Sequence, residues 1–119
     1  TFLKAGVRLA LGSDFPVEPV NPFWGLHAAV TRQDRDDQPP GGWRAQEALT
    51  LQQAFAGFTI GAAHAGHMDG KVGALTEGHW ADFILLDRDP FTIGPAELKQ
   101  VGVEETWLAG KRVFVKKAN

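Results

Sequence analysis

The sequence predicts an α/β fold, with one strand and two helices in its first half and β-structure in its second. The apolar run Val7–Leu11 ends at Gly12-Ser13, and Val7, Leu9 and Leu11 fall on one side of an extended chain. This pattern is typical of a strand, Val7–Ser13, that is buried on both faces. Apolar residues recur at helical spacing after residue 22 and again after residue 50, whereas a hairpin signal lies near the C-terminal end.

The first segments alternate stiff turns with one helix. Residues 1–6 are typical of a helix end, with Ala5-Gly6 as its stop. The stretch Phe15–Pro22 holds three prolines and is therefore predicted to be a stiff, extended loop. Asn21 is suited to cap a helix with Pro22 at its first position, and this helix is predicted over Phe23–Arg32.

The next segments predict a loop and a second helix. Gln33–Trp43 is polar and rich in Pro and Gly towards its end, which indicates a surface loop or lid. Thr50 begins a helix that continues to Ala65, with a kink expected at Gly57 or Gly61. Gly66 is its expected stop.

The remaining chain loses the helical period and becomes β-rich. Met68–Ala81 is rich in glycine. Four further segments are bounded by Gly, Pro or Asp: Phe83–Leu86, a single helical turn at Ala96–Lys99, and strands Val101–Leu108 and Arg112–Val115. The change of character near Gly66–Gly73 predicts two segments, residues 1–67 and 68–119.

The composition is that of an ordinary globular chain. It has 119 residues, 44% of them hydrophobic, a net charge of -2, and no cysteine that could form a disulfide or bind metal. This charge favours neither nucleic acid nor an anionic membrane, and no apolar run approaches the ~20 residues of a membrane helix. The compartment is left open, with the cytoplasm favoured. The first residue is Thr1, so we expect a piece of a longer protein.

Asp14 lies just past the C-terminal end of the predicted first strand and is the main candidate for a functional residue. Loops at the C-terminal ends of parallel strands carry active sites. A carboxylate there is costly to desolvate unless a metal, a cation or hydrogen bonds accept it. Spacing alone leaves a turn-forming aspartate as the commoner alternative. Phe15, Val17 and Trp24 follow closely and predict an apolar pocket for an acyl or amine group, or else simple packing of the loop.

Other polar residues have simpler explanations. His64 and His67 are three residues apart and would share a helical face, but the dipole at a helix end explains them without a metal. His27 is expected to be a packed or surface residue of the first helix. Arg32, with Asp34 and Asp36 nearby, would bind an anionic substrate, or else it is a solvated charge or forms an ion pair that holds the Gln33–Trp43 loop.

Six short motifs occur in one order along nearly the whole chain: Leu11–Val17, Ala28–Arg32, Glu47–Ala54, Phe58–Ala65, Gly73–Pro90 and Thr106–Val113. Each is weak alone, but their order and spacing together are specific. The chain resembles the C-terminal third of an amidohydrolase-superfamily enzyme. Within that superfamily it resembles the amidohydrolase family 3 branch that includes N-substituted formamide deformylase-like proteins.

The resemblance implies the C-terminal part of a metal-dependent (β/α)8 barrel, with its last strand and following helices, plus strands of a small β-sandwich domain. Val7–Ser13 would be the eighth strand, and Asp14 the aspartate that binds the metal and shuttles the proton. The other ligands that the family implies precede this stretch: a His-x-His pair, a lysine or equivalent bridging residue, and two later histidines. None of the four histidines here matches them.

The implied reaction is hydrolysis of a non-peptide C–N amide bond by metal-activated water, with zinc as the expected divalent metal. Asp14 would be both metal ligand and catalytic residue, and Phe15, Val17 and Trp24 would contact a small amide-type substrate. The chain alone is expected to be inactive. The rival hypothesis is a non-catalytic structural or interaction domain that has lost its catalytic half.

The expected partners follow from the same resemblance. A lone barrel strand has open edges, and the helices expose faces meant for a barrel, so these surfaces recruit partners. We therefore expect a homo-oligomer or association with a missing N-terminal portion. No nucleic acid and no membrane are expected as partners.

Overall fold

The structure, a computed structural model, describes residues 2–117 as a mixed α/β arrangement. Two helical segments are followed by a three-stranded antiparallel sheet. Short 3₁₀ turns lie at Leu3–Ala5, Ala45–Glu47 and Pro95–Gln100. Within the described residues, no helix has both the length and the apolar character needed to cross a membrane.

Helix α1 spans Pro22–Thr31 and begins and ends as its sequence predicts, within one residue. The Asn21 side chain accepts a hydrogen bond from the Phe23 backbone N–H at 3.0 Å, and Pro22 occupies the first turn. Arg32 ends the helix in the left-handed conformation, with φ of 60°. A capped start and a left-handed stop satisfy backbone groups that would otherwise lack partners.

The second helical segment runs from Leu51 to Ala65 with a change of winding in the middle. Helix α2 spans Leu51–Ala56, a π-helical turn spans Gly57–Gly61, and helix α3 spans Ala62–Ala65. Thr50 and Gln53 form a capping box at its start, with each side chain bonded to the backbone of the other. The kink predicted at Gly57 or Gly61 stays a prediction, and the structure has a π-turn that begins and ends at these two glycines.

The sheet consists of β1 (Phe83–Leu86), β2 (Val103–Leu108) and β3 (Lys111–Val115), in that order. Phe83 lies opposite Trp107, and their rings stack with centroids 5.5 Å apart. Ala109 and Gly110, both with positive φ, join β2 to β3, as the hairpin signal predicts. Apolar side chains remain exposed on this sheet, Val113 and Phe114 among them.

The predicted strand Val7–Ser13 is wrong for this structure. These residues form neither helix nor strand, and they are exposed or half-buried rather than enclosed on both faces. A strand needs backbone hydrogen bonds to a neighbouring strand. Here the Leu11 N–H instead donates to the Gly57 carbonyl of the π-turn, at 3.0 Å.

The core joins the first helices to the turn before β2. Phe23, Leu26, Ala54 and Val101 form its buried cluster. Phe55 packs edge-on against Phe23, with ring centroids 6.5 Å apart. Since Val101 belongs to the second predicted segment and the others to the first, the core crosses the predicted boundary. The division into residues 1–67 and 68–119 stays a prediction.

Candidate functional site

A tight turn follows residues 7–13 and carries Asp14. Asp14 has a positive φ of 50°, and its carbonyl accepts a hydrogen bond from the Val17 N–H at 2.9 Å. The Glu18 N–H closes the turn on the Ser13 carbonyl at 3.2 Å. Aspartate tolerates this left-handed backbone better than most residues. The Asp14 side chain is consequently displayed on the surface of the described chain.

Two glycines hold the segment before Asp14 against the π-turn. A Cβ atom at Gly57 would lie 2.7 Å from Cγ of Leu11, and one at Gly61 would collide with the Leu9 carbonyl oxygen. Only hydrogen at these two positions lets residues 9–11 lie directly on the helix. The close approach therefore sets where the Asp14 turn begins.

A cavity of about 290 Å³ opens beside this turn, between the start of α1 and the loop that follows the helix. Its walls combine an indole, a phenyl ring, hydroxyl and amide groups, two carboxylates and a guanidinium. The side chains concerned are Ser13, Glu18, Asn21, Trp24, Gln33, Asp34, Arg35 and Phe58. A mixed apolar and polar lining of this kind is typical of a small-molecule pocket.

The cavity includes one of the four predicted site residues. Trp24 is half-buried and lines it. Asp14, Phe15 and Val17 are exposed beside it and are not among its lining residues. Phe15 and Val17 lie within the Asp14 turn, and their side chains are 65% and 74% exposed in the described chain. Their roles towards a substrate remain a prediction.

Arg35 faces Trp24 across the cavity wall. Its guanidinium lies 4.9 Å from the centroid of the Trp24 ring, a cation–π contact. Arg32, by contrast, donates through Nε to the Trp43 carbonyl and lies over the Trp43 ring. Arg32 thus contacts its own loop through a backbone carbonyl and an aromatic ring, whereas the ion pair predicted for it is not among those of the described residues; Arg35 is the arginine that lines the cavity.

His27, Asp37 and Lys99 form a cluster that joins helix α1, the loop after it and the Pro95–Gln100 turn. The sequence analysis missed this cluster. His27 of α1 is 1% exposed, and its Nε2 lies 3.1 Å from Oδ1 of Asp37. Lys99, from the Pro95–Gln100 turn, donates to the same oxygen at 2.7 Å. The expectation of a packed or surface His27 is confirmed as packed. Asp37 and Lys99 are 62 residues apart, so no local pattern could have paired them.

The Lys99 hydrogen bond holds the pKa of the Asp37 carboxyl below its ordinary value of 3.8. Desolvation opposes this shift, and electrostatic attraction to Lys99 and His27 adds to it. A carboxyl group whose pKa is lower in the folded state than in the unfolded state stabilises the fold at pH values above the unfolded-state pKa. That stabilisation is lost as the pH falls through the folded value.

We therefore expect the wild type to have a higher free energy of unfolding than Asp37→Asn. This difference should be largest at about pH 5 and should become smaller towards pH 3. Denaturant unfolding of the full-length protein at a series of pH values measures it. Asp36→Asn, which removes the same charge from the same loop outside the cluster, is the control. A difference that stays constant down to pH 3 would contradict this assignment.

The other histidines lie away from the cavity walls. Nδ1 of His64 is 3.0 Å from Oδ1 of Asp69, which also pairs with Arg8 at 3.4 Å. Within residues 2–117, no three His, Cys, Asp or Glu side chains cluster as metal ligands would. The chain described here thus offers single candidate ligands such as Asp14 rather than a complete metal site.

Comparison with known proteins gives a consistent result over nearly the whole length. The model of the amidohydrolase family matches residues 1–114. The chain is 34% identical over 116 residues to YtcJ of Bacillus subtilis (strain 168), an amidohydrolase by name, and this match covers 98% of the chain and 22% of YtcJ. It is 33% identical over 110 residues to the N-substituted formamide deformylase of Arthrobacter pascens, covering 92% of the chain and 20% of that protein.

A solved structure shows the same fold. The chain is similar to the crystal structure of an amidohydrolase from Thermotoga maritima MSB8, with a TM-score of 0.70 and 21% identity. This similarity covers 96% of the chain and 24% of that protein. The chain spans about a fifth of the length of these two curated relatives.

Proposed function

Because this chain belongs to the amidohydrolase family, we propose that it is the part of a metal-dependent hydrolase that supplies Asp14 to an active site for non-peptide C–N bonds. The observation that carries the proposal is the match of the family model across residues 1–114, which include the Asp14 turn and the cavity beside it. The hydrolase names of the relatives favour this function over a non-catalytic interaction domain.

The Asp14 carboxylate suits the role of a metal ligand. It is exposed at the end of a segment held by close backbone packing, and the ion pairs found among the described residues do not engage it. One carboxylate fits one position of a zinc site, and the remaining ligands would come from chain outside this segment. Bound zinc would lower the pKa of a water molecule to about 7 and thereby supply the nucleophile.

Asp14 would also move the proton. Its free carboxylate oxygen accepts a proton from the attacking water and returns it to the nitrogen that leaves as an amine. A carboxylate can do both because its second oxygen stays free when the first is a ligand. Trp24, together with Phe15 and Val17, would hold the apolar part of the amide next to this oxygen.

Exposed apolar side chains support the proposed association with further chain. Val7, Ile60 and Val113 are each about half exposed, at 46%, 53% and 57%. Exposed apolar residues of this size favour burial against another surface. We propose that an N-terminal portion of the same polypeptide, or a second copy, covers them.

The test is an amide-hydrolysis assay on the full-length protein with and without added zinc. The substrate panel contains several N-substituted formamides and, as a negative control, a dipeptide. We expect amine product from at least one of the formamides, loss of turnover with a chelator, and recovery with zinc. Metal-loaded protein that hydrolyses none of the panel, or cleaves the dipeptide instead, would contradict the proposal.

A further inference from the structure

Lys99 contacts the loop that carries Arg35 but is not among the residues that line the cavity. Lys99 donates to the Arg35 backbone carbonyl at 2.9 Å and to Oδ1 of Asp37 at 2.7 Å. Its side chain is 19% exposed, whereas ordinary surface lysines are largely solvated. These two bonds fix the chain on either side of residue 36, and with it the base of the Arg35 side chain.

His27 completes the attachment from the helix. It is fully buried in α1, three residues after Trp24, and Nε2 contacts the same Asp37 oxygen. Gln33 Nε2 donates to the Asp37 carbonyl at 2.6 Å, so the loop residue is held through both its side chain and its backbone. The helix that carries Trp24 and the loop that carries Arg35 are thus joined through Asp37.

The cluster also has a clear cost if it is broken. Without Lys99 the Arg35 carbonyl loses this donor, and the Asp37 carboxylate, whose side chain is 46% exposed, keeps its contact with the buried His27. The position of the Arg35 guanidinium over Trp24 therefore depends on Lys99.

We propose that Lys99 is a positioning residue for the Arg35–Trp24 wall, and that through this wall it sets how tightly the enzyme holds its amide substrate. The inference rests on the proposed function for its substrate, and on the contacts above for its mechanism. Lys99 acts on binding and leaves the chemical step to other residues.

The test uses the full-length protein and the N-substituted formamide that it turns over best. Lys99→Met is expected to raise KM about tenfold, the scale of one hydrogen bond to a charged group, with kcat changed less than about twofold. Lys99→Arg keeps the charge and should recover part of the loss. Lys116→Met is the matched control, because Lys116 also donates to a carboxylate, that of Glu104, at 2.7 Å but directly follows β3, away from the Arg35 loop.

A double-mutant cycle shows whether Lys99 acts through Arg35. Arg35→Ala alone should raise KM, and adding Lys99→Met to it should change KM little further, because coupled residues are non-additive. Independent, multiplying effects would overturn the proposal. An equal rise of KM in Lys116→Met would overturn it as well.

Amide hydrogen exchange supplies a readout that needs no substrate. We expect Lys99→Met to speed exchange in residues 34–38 while α2 and the sheet keep their wild-type rates. Unchanged exchange in that loop counts against this inference. Absence of wild-type turnover counts instead against the proposed function, so the two failures are distinguishable.

Discussion

Asp14→Asn is expected to lower kcat of the full-length enzyme about a thousandfold, in the middle of the range for loss of a general acid–base group. The amide of Asn has the shape of the carboxylate but carries no negative charge and cannot take a proton from water. The backbone at residue 14 has a φ of 50°, which Asn tolerates as well as Asp does. The fold should therefore be retained. Steady-state kinetics together with denaturant unfolding measure both effects.

Asp36→Asn is the matched control for that variant. Asp36 is also an exposed aspartate, and the loop that carries it borders the cavity beside the Asp14 turn. The two substitutions are identical and therefore change the net charge equally. We expect its kcat to stay within about twofold of wild type. If Asp14→Asn kept a tenth or more of the wild-type kcat, Asp14 would be removed from the mechanism.

Gly61→Ala is expected to destabilise the fold by about 1–3 kcal/mol, as overpacking does, and to lower turnover as well. The new methyl group would collide with the backbone carbonyl of Leu9, which cannot rotate away as a side chain would. The segment 7–13 must then move off the π-turn, and Asp14 moves with it. Misplacement of a catalytic group by about 1 Å can cost about a hundredfold in rate.

Gly66→Ala separates this effect from a general intolerance of alanine. Its Cβ would lie 3.5 Å from the Ala62 carbonyl oxygen, an ordinary contact, and Gly66 has a negative φ of -84°. We expect stability within about 0.5 kcal/mol of wild type and unchanged turnover. Equal melting temperatures and equal activities for the two alanine variants would show that the close approach at Gly61 has no consequence.

Most helices and turns were predictable because their signals are local. Asn21-Pro22 places a cap and a first-turn proline next to each other, and Thr50 with Gln53 forms the capping box that the structure shows. Ala109-Gly110 supplies the two positive φ values that a tight hairpin needs. In each case the residues that decide the conformation are within three positions of one another.

The first strand was not predictable in the same way. Val7–Leu11 has the pattern of a buried strand, yet whether it forms one depends on neighbouring strands that supply hydrogen bonds. Within residues 2–117 the Leu11 N–H meets the π-turn instead. The barrel and β-sandwich implied by the family resemblance stay predictions for the same reason, since both need chain on either side of these elements.

The sequence by itself determined the order of the two helical segments and the three later strands, the helix caps, the family and the candidate aspartate, because short motifs specify each of these. Only the tertiary structure decided which side chains meet across long separations. It placed Trp24 and Arg35 on one cavity wall, left Phe15 and Val17 outside it, and brought Lys99 to Asp37 and His27. Contacts of this kind depend on how the helix, loop and turn pack together, and a linear pattern carries no information about that packing.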